Sequence, residues 1–328
     1  MKNIISNVKH YRKQILFYID NHIKNFERGT FLFDFYDERY WNSPSEYFNY
    51  NLNNSTKKIE DPVFFFHHKW DLTYEFWIME TLPLLKYYMK LRKKIPNLKL
   101  LRFKWCYHCK YINDTLKFLF GEDPNNFSVW IFEPLFYSIE DLYYPIKDYP
   151  IDWSFEYIPS DLDFILKKMI NLSKKFSKNN YPKKVYLSRR NLKNHWHNRV
   201  LINEDEVVNL LNKYGYQEVF SDELSMVDEI NLFNNAQWVI TPIGSGCTNI
   251  LFSNENSKWC IITSERYRET YTMAHNYLKD KYIRFDNTEI NQSNNECHDI
   301  NSLSYLNSPY YCNINKLEKF LREINFIR

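Results

Sequence analysis

The sequence predicts an α/β protein whose second half is a doubly wound parallel sheet. Three observations support this. Short apolar runs at 185–187, 216–220, 238–241 and 259–262 alternate with stretches at helical spacing, an order that gives parallel strands joined by crossover helices. Helix signals punctuate that half: Asn203 with Glu206 three residues on, Ser225 with Asp228, and Gly215 as a stop. Finally, two of the five glycines in 328 residues, Gly244 and Gly246, directly follow one of the apolar runs.

The elements are justified in chain order. Residues 1–20 carry charges throughout, with Ile15, Leu16 and Ile19 on one side. This reads as an amphipathic helix, either packed on the protein or lying on a membrane surface. Helices follow at 74–91 and 113–120, the second stopped by Gly121, with a strand at 98–103 between them. Pro145, Pro150 and Pro159 mark a boundary. The expected division is therefore an N-terminal domain at 1–155, a second domain at 160–305 and a terminal helix at 306–328.

In the second domain, Phe164, Ile165, Met169, Ile170, Leu172 and Phe176 fit one face of a helix. After the strand at 185–187, Val207, Leu210, Leu211 and Tyr214 repeat at helical spacing behind the Asn203 cap. The next helix turns Ile230 and Phe233 inward. A further helix runs through 249–252, between the strands at 238–241 and 259–262. The last helix carries Ile314, Leu317, Phe320, Leu321 and Ile324 on one face.

Bulk composition narrows the function. Lys and Arg number 43 against 40 Asp and Glu, a net charge of +3. The pI is about 8.3 and the basic clusters are short, which argues against a nucleic-acid partner. No segment approaches the roughly 18 apolar residues of a membrane span. The N-terminus lacks the apolar core of a signal peptide, so a cytoplasmic location is expected. That location leaves room for peripheral association with a membrane. The six cysteines are then expected to be thiols. Cys106-Tyr107-His108-Cys109 is a C-x-x-C whose only available second pair, Cys297-His298, lies far along the chain. A buried thiol pair is favoured over zinc.

The chemistry is expected where strands end. Ligands of a doubly wound sheet bind at the carboxyl ends of its strands. The loop Pro242-Ile243-Gly244-Ser245-Gly246 leaves such an end and enters a helix. Glycines there allow a sharp turn and close backbone approach, and a helix start offers N–H groups to an anion. The alternative is a tight turn with no ligand. The spacing is neither the dinucleotide G-x-G-x-x-G, since residue 249 is Asn, nor a P-loop.

A second strand end, after 185–187, carries Ser188-Arg189-Arg190, followed by Arg199 and Asn203-Glu204. Arginine forks bind phosphate in bidentate fashion. The alternative is a solvated basic turn paired with Glu204-Asp205-Glu206.

Together these blocks resemble glycosyltransferase family 61. Gly244-Ser245-Gly246-Cys247-Thr248-Asn249-Ile250-Leu251-Phe252 is similar to the family's G-A-G-L-x-N-x-x-F block. Thr73-Tyr74-Glu75-Phe76-Trp77-Ile78-Met79-Glu80-Thr81-Leu82-Pro83 is similar to its N-Y-x-H-W-x-x-E/D-x-L-P segment. Two family histidines fall on Phe76 and Ile243, neither of which titrates.

The resemblance implies a GT-B-like architecture. Two Rossmann-like doubly wound domains would face a cleft, with the C-terminal helix crossing back to the first. It also implies inverting transfer from a nucleotide-sugar donor, expected to be UDP-linked, to a hydroxyl on a glycan or glycoconjugate. Donor binding is assigned to Ser188, Arg189, Arg190, Arg199, Glu204, Gly244, Ser245, Gly246, Thr248 and Asn249. Of these, Ser245 and Asn249 are expected on the diphosphate or ribose, and Glu204 is expected to position Arg189 or Arg199. Glu80 is the expected base, with Asp71 and Glu75 as substitutes and His67 or His68 further outside. No D-x-D sits at a strand end: Asp161-Leu162-Asp163 precedes a helix, so no obligatory metal or other cofactor is expected. The two missing histidines motivate an alternative, an inactive member acting as a nucleotide- or glycan-binding scaffold.

Overall fold

The structure is a computed structural model that describes residues 8–19, 22–25, 57–66, 73–103, 106–131, 136–145, 160–177, 180–192, 200–263, 282–286, 288–290 and 309–328. The chain is mixed α/β and divides into two compact units, Met1–Tyr149 and Pro150–Arg328.

The first unit holds β1 (Val8–Ile19), β2 (His22–Asn25), β3 (Lys57–Ile59), β4 (Val63–Phe64), β5 (Lys99–Phe103), β6 (Ser128–Ile131) and β7 (Phe136–Pro145). They form one sheet in the order β2-β1-β7-β4-β5-β6, with β3 also paired to β7. Strands β7, β4, β5 and β6 are mutually parallel. By contrast, β1 is antiparallel to both β7 and β2. The expected N-terminal helix is thus a strand, and the sheet is mixed. Ile15, Leu16 and Ile19 suit either structure by pattern. What decides is pairing with a partner more than a hundred residues away, from Val8 opposite Pro145 to Phe17 opposite Phe136.

The helical stretch expected at 74–91 is four pieces. These are α1 (Tyr74–Phe76), a π turn (Trp77–Thr81), a 3-10 turn (Leu82–Leu84) and α2 (Leu85–Arg92). Pro83 is the physical cause. It has no N–H for the helical ladder and its ring crowds the preceding turn. The turn before it widens, and Leu82 N–H bonds the Trp77 carbonyl. Helix α3 (Lys110–Phe120) ends as expected at Gly121, left-handed at φ 71°, whose N–H bonds the Lys117 carbonyl. One face of the sheet packs Val63, Phe65, Leu101, Phe103 and Leu142 together. On the other face Phe64 meets Tyr88 and Phe66 meets Trp77, with ring centres 5.7 and 6.2 Å apart. Strand alternation puts Arg102 on that second face.

In the second unit, α4 (Ser160–Ser173) precedes β8 (Lys184–Leu187), α5 (Glu204–Asn212), β9 (Gln217–Val219), α6 (Met226–Asn235), β10 (Trp238–Pro242), β11 (Lys258–Ile262) and β12 (Tyr282–Phe285). The five strands are all parallel, in the order β12-β11-β10-β8-β9. A small antiparallel pair, β13 (Thr288–Ile290) and β14 (Tyr310–Cys312), leads to α7 (Ile314–Glu323). The terminal helix lays Leu317 and Leu321 into a core with Val207, Leu211 and Ile262 of its own unit. Burying each of those leucines is worth about 1.5–3 kcal/mol.

Three local expectations change. Phe164 and Phe176 are exposed, at 42 % and 59 %, and the inward face of α4 is Leu162, Ile165, Leu166 and Met169. Asn203 does not cap α5 with its side chain. Its amide instead donates to the Cys312 carbonyl and accepts from the Cys312 N–H, both at 2.9 Å, which ties α5 to β14. The segment after the glycines is a 3-10 helix, Ser245–Phe252, rather than an α-helix. Ser225 does cap α6, accepting the Asp228 N–H at 3.1 Å.

Candidate functional site

The chain leaves β8 through α5 to β9 on one side, then returns through α6 to β10 on the other side of β8, and β11 and β12 continue outward. The winding therefore reverses between β8 and β10. Strand connections diverge at such a point and leave a crevice at the carboxyl ends. The two loops singled out in the sequence emerge there, Ser188-Arg189-Arg190 from β8 and Ile243-Gly244-Ser245-Gly246 from β10. The Thr241 hydroxyl donates to the Leu187 carbonyl at 3.0 Å and pins the two strand ends together.

The loops meet at Gly244. A β-carbon built on Gly244 would lie 1.3 Å from Arg189 Nη1 and 2.4 Å from Arg189 Cζ. The guanidinium therefore lies directly against the glycine α-carbon. Gly244 has φ 168° and ψ 177°, extended backbone that any residue adopts. What the position requires is space, not glycine's conformational freedom. Gly246 answers a different neighbour, since its added β-carbon would sit 3.2 Å from Leu187 Cδ2. Within 241–252 only Ser245 and Gly246 are part-exposed, so their backbone forms the accessible lip of the loop. Arg189 Nε is buried and bonds no other group.

Glu204 holds the β8 loop in place. It is buried, and its Oε1 accepts from Ser188 Oγ at 2.8 Å, Arg189 N–H at 2.8 Å and Tyr186 Oη at 3.1 Å. Burial, with Glu204 beside it, pushes the Tyr186 phenol well above its ordinary pKa and keeps it a donor. A buried carboxylate with three hydrogen bonds is compensated in a way that a bare one is not. Ser188 N–H also bonds the Val219 carbonyl at 2.9 Å, joining the loop to β9.

The other expected residues divide. Arg190 turns to Asp205, at 2.6 Å, and to Glu218, and lies over the Phe220 ring. Its charge is engaged by carboxylates, as in the solvated-turn alternative. Thr248 is buried, and Asn249 is 0 % exposed with its amide donating to buried Glu229 at 2.7 Å. Asn249 thus braces the 3-10 helix on α6 instead of lying on the lip beside Ser245. Arg199, Asp71, His67 and His68 lie outside the described residues.

Glu80 sits buried in the π turn, and Glu75 is half-buried in α1. A π turn closes i→i+5 instead of i→i+4, so α-helical spacing does not order Trp77 and Glu80 on one face. All five residues of the turn are buried. Phe76 is half-buried, and Ile243 is 2 % exposed inside the second unit's core.

Thr241 and Glu229 escaped the sequence reading. Thr241 closes a predicted strand, where a hydroxyl carries no special signal. Glu229 adjoins the inward-facing Ile230, and that position was its only clue. Among the described residues no helix is long and apolar enough to cross a membrane.

Chemically, a fixed cation, a part-exposed peptide lip and a buried carboxylate positioning the loop make an arrangement suited to an anionic group. The family model described as Glycosyltransferase 61 matches residues 74–260, more than half of the chain. The match runs from the segment carrying Glu80, through the Arg189 and Gly244 loops, to β11. No curated protein matches the chain.

Proposed function

The chain belongs to glycosyltransferase family 61, and we propose that this glycosyltransferase is inverting and metal-independent, moving a sugar from a UDP-linked donor to a hydroxyl of a glycan or glycoconjugate. The observation that carries the reading is the Arg189 guanidinium seated on Gly244 at the reversal between β8 and β10. A donor's diphosphate placed there meets a cation and the amides around Ser245 and Gly246. In an in-line displacement a base takes the acceptor hydroxyl proton, the new glycosidic bond forms, and the nucleoside diphosphate leaves carrying the bond's electrons. Arg189 then stabilises charge that grows as the bond breaks.

Glu80 is the proposed base, because it is the family-matched carboxylate and lies in a π turn, a feature frequent at functional sites. The GT-B arrangement, with two Rossmann-like domains facing a cleft and the terminal helix crossing back, belongs to the same proposal. So does a cytoplasmic location with peripheral membrane association near a polysaccharide acceptor.

Titration calorimetry with a panel of nucleoside diphosphates, with and without EDTA, tests this. UDP is expected to bind equally in both, and folded protein that binds none of the panel refutes the reading. The second reading, an inactive scaffold, is favoured by Phe76 and by core-buried Ile243 at the family's histidine positions. Nucleotide binding without transfer or donor hydrolysis across a sugar panel would establish it.

A further inference from the structure

The transferase reading leaves one motif of the sequence unused, Cys106-Tyr107-His108-Cys109. Cys106 follows β5, is fully buried, and donates its thiol proton to the Phe103 carbonyl, with Sγ 3.0 Å from that oxygen. Cys109 N–H bonds the Cys106 carbonyl at 3.3 Å. A four-residue turn of that kind keeps its end α-carbons within about 7 Å, close to the span a disulfide bridges. Cys109 is half-buried, and the two residues between the cysteines are exposed, so the turn lies at the surface. It is also the N-cap residue of α3, and its side chain makes no capping hydrogen bond. A helix start favours a thiolate over a thiol.

An independent observation points to the same turn. Arg102 is 0 % exposed on the helix-covered face of β5. Its Nη2 donates to Asn113 Oδ1 at 2.8 Å and to the Cys106 carbonyl at 3.4 Å, and its guanidinium lies 4.2 Å from the centre of the Trp130 ring. Its Nε and Nη1 are buried and have no hydrogen-bond partner. Burial pushes this guanidinium's pKa down, and the acidic groups opposing that shift are Cys106 first and then Cys109. An arginine does not release its proton inside a protein, and a buried charge is costly unless paired. Among the described residues, the acidic groups that favour this charge are the Cys106 and Cys109 sulfurs.

We propose that Cys106 and Cys109 form a redox-active dithiol, a modification site for low-molecular-weight disulfides, with Cys109 attacking and Cys106 resolving. The Cys109 thiolate attacks one sulfur of the small disulfide, forms a mixed disulfide and expels a thiolate. The Cys106 thiol then attacks Cys109 Sγ, closes the protein disulfide and releases the second small thiol, which takes the Cys106 proton. The protein loses two electrons and two protons, and one small disulfide becomes two thiols. Arg102 carries no part of the bond exchange; it offers positive charge to the sulfurs as they ionise. Among the described residues, the other charged or titratable groups on and beside the turn are exposed Tyr107 and His108 and the pair Lys110 and Asp114, 3.7 Å apart on α3. Among the described residues no third His, Cys, Asp or Glu joins the two sulfurs to hold a metal.

The test is peptide mass spectrometry of the full chain after incubation with glutathione disulfide at pH 7 and acid trapping. The wild type should yield an intramolecular Cys106–Cys109 disulfide, while buried Cys247, Cys260 and Cys312 stay reduced. Cys106→Ser should stop at a glutathione adduct on Cys109, and Cys109→Ser should give no product at this turn. A separate measurement, the rate of iodoacetamide alkylation of Cys109 against pH, should show a midpoint below the ordinary thiol value of about 8.5, rising in Arg102→Met. A wild type that forms no Cys106–Cys109 disulfide overturns the proposal, as does a Cys109 that alkylates with an ordinary midpoint.

Discussion

Replacing Gly244 with alanine is expected to remove Arg189 from the site without damaging the fold. The new methyl would fall 1.3 Å from Nη1, where ordinary contact begins at 3.4 Å. The guanidinium must therefore shift by about 2 Å, several times the width of the hydrogen-bond distance range. The atom displaced is the far end of a flexible chain, and the backbone at 244 is extended, so neither imposes a folding cost. Stability should change by no more than about 0.5 kcal/mol. A hydrogen bond from a charged group is worth about 1.5–3 kcal/mol, which predicts a roughly 10- to 140-fold weaker Kd for UDP. Titration calorimetry would measure it for Gly244→Ala, Arg189→Ala and the double variant. Both single variants remove the same guanidinium from the same place, so the double variant should bind no worse than either. Losses that add, or a Gly244→Ala protein that binds UDP like the wild type, would refute the reasoning.

The remaining predictions are brief. Gly246→Ala brings a methyl 3.2 Å from buried Leu187 Cδ2, so it should cost about 1 kcal/mol of stability, measurable by urea unfolding, as mild overpacking does. Glu204→Ala strands three donors around one lost oxygen and should cost about 2–5 kcal/mol, while Glu204→Gln, which keeps an acceptor, should cost less than half of that. Burial, then Glu206, pushes the Cys312 thiol up to about 12. Above pH ~9 the unfolded chain releases that proton and the folded chain keeps it, so stability should fall by up to about 1.4 kcal/mol per pH unit for this group. Chemical unfolding from pH 8 to 10.5 should show a shallower fall in Cys312→Ala.

The parallel half of the fold was legible because its signals are local. Strand runs, the Ser225 cap and the Gly215 stop each lie within a few residues of what they control. The failures share the opposite property. The strand at Val8–Ile19 exists because of a partner at Phe136–Pro145. Asn203 abandons its capping role for the backbone of Cys312, 109 residues away. Pro83 was visible in the sequence, yet its effect on the preceding turn, and hence on the face that Glu80 shares, follows only from the three-dimensional ladder. At the site, the sequence placed Arg189 and Gly244 each at a strand end. It could not distinguish Arg189, which crosses to the glycine, from Arg190, which Asp205 and Glu218 draw away. Nor could it see that Asn249 of the glycine block points to Glu229.

The four glycines within the described residues serve two different physical ends. Gly121 and Gly215 hold left-handed backbone, at φ 71° and 79°, with nothing within 4 Å of an added β-carbon. Alanine there would strain the chain and meet no neighbour. Gly244 and Gly246 are the reverse case, with neighbours from the β8 end pressed against the positions where side chains would grow. A turn alone would need the first kind. The second kind is needed where something from one strand end must lie over another, and at Gly244 that something is a guanidinium. Topology fixes where the crevice opens, but any doubly wound sheet has such a point. What makes this one suited to an anionic leaving group is that the missing side chain leaves room for a cation, and that Glu204 fixes the Arg189 backbone from which it reaches. That argument separates Arg189 from Arg190 on geometry alone. Arg190→Met should therefore leave UDP affinity within about threefold of wild type, a difference below ~0.7 kcal/mol. If calorimetry instead gave Arg190→Met the larger loss, the donor's charge would be held on the β9 side of the loop and the seat on Gly244 would be a packing feature.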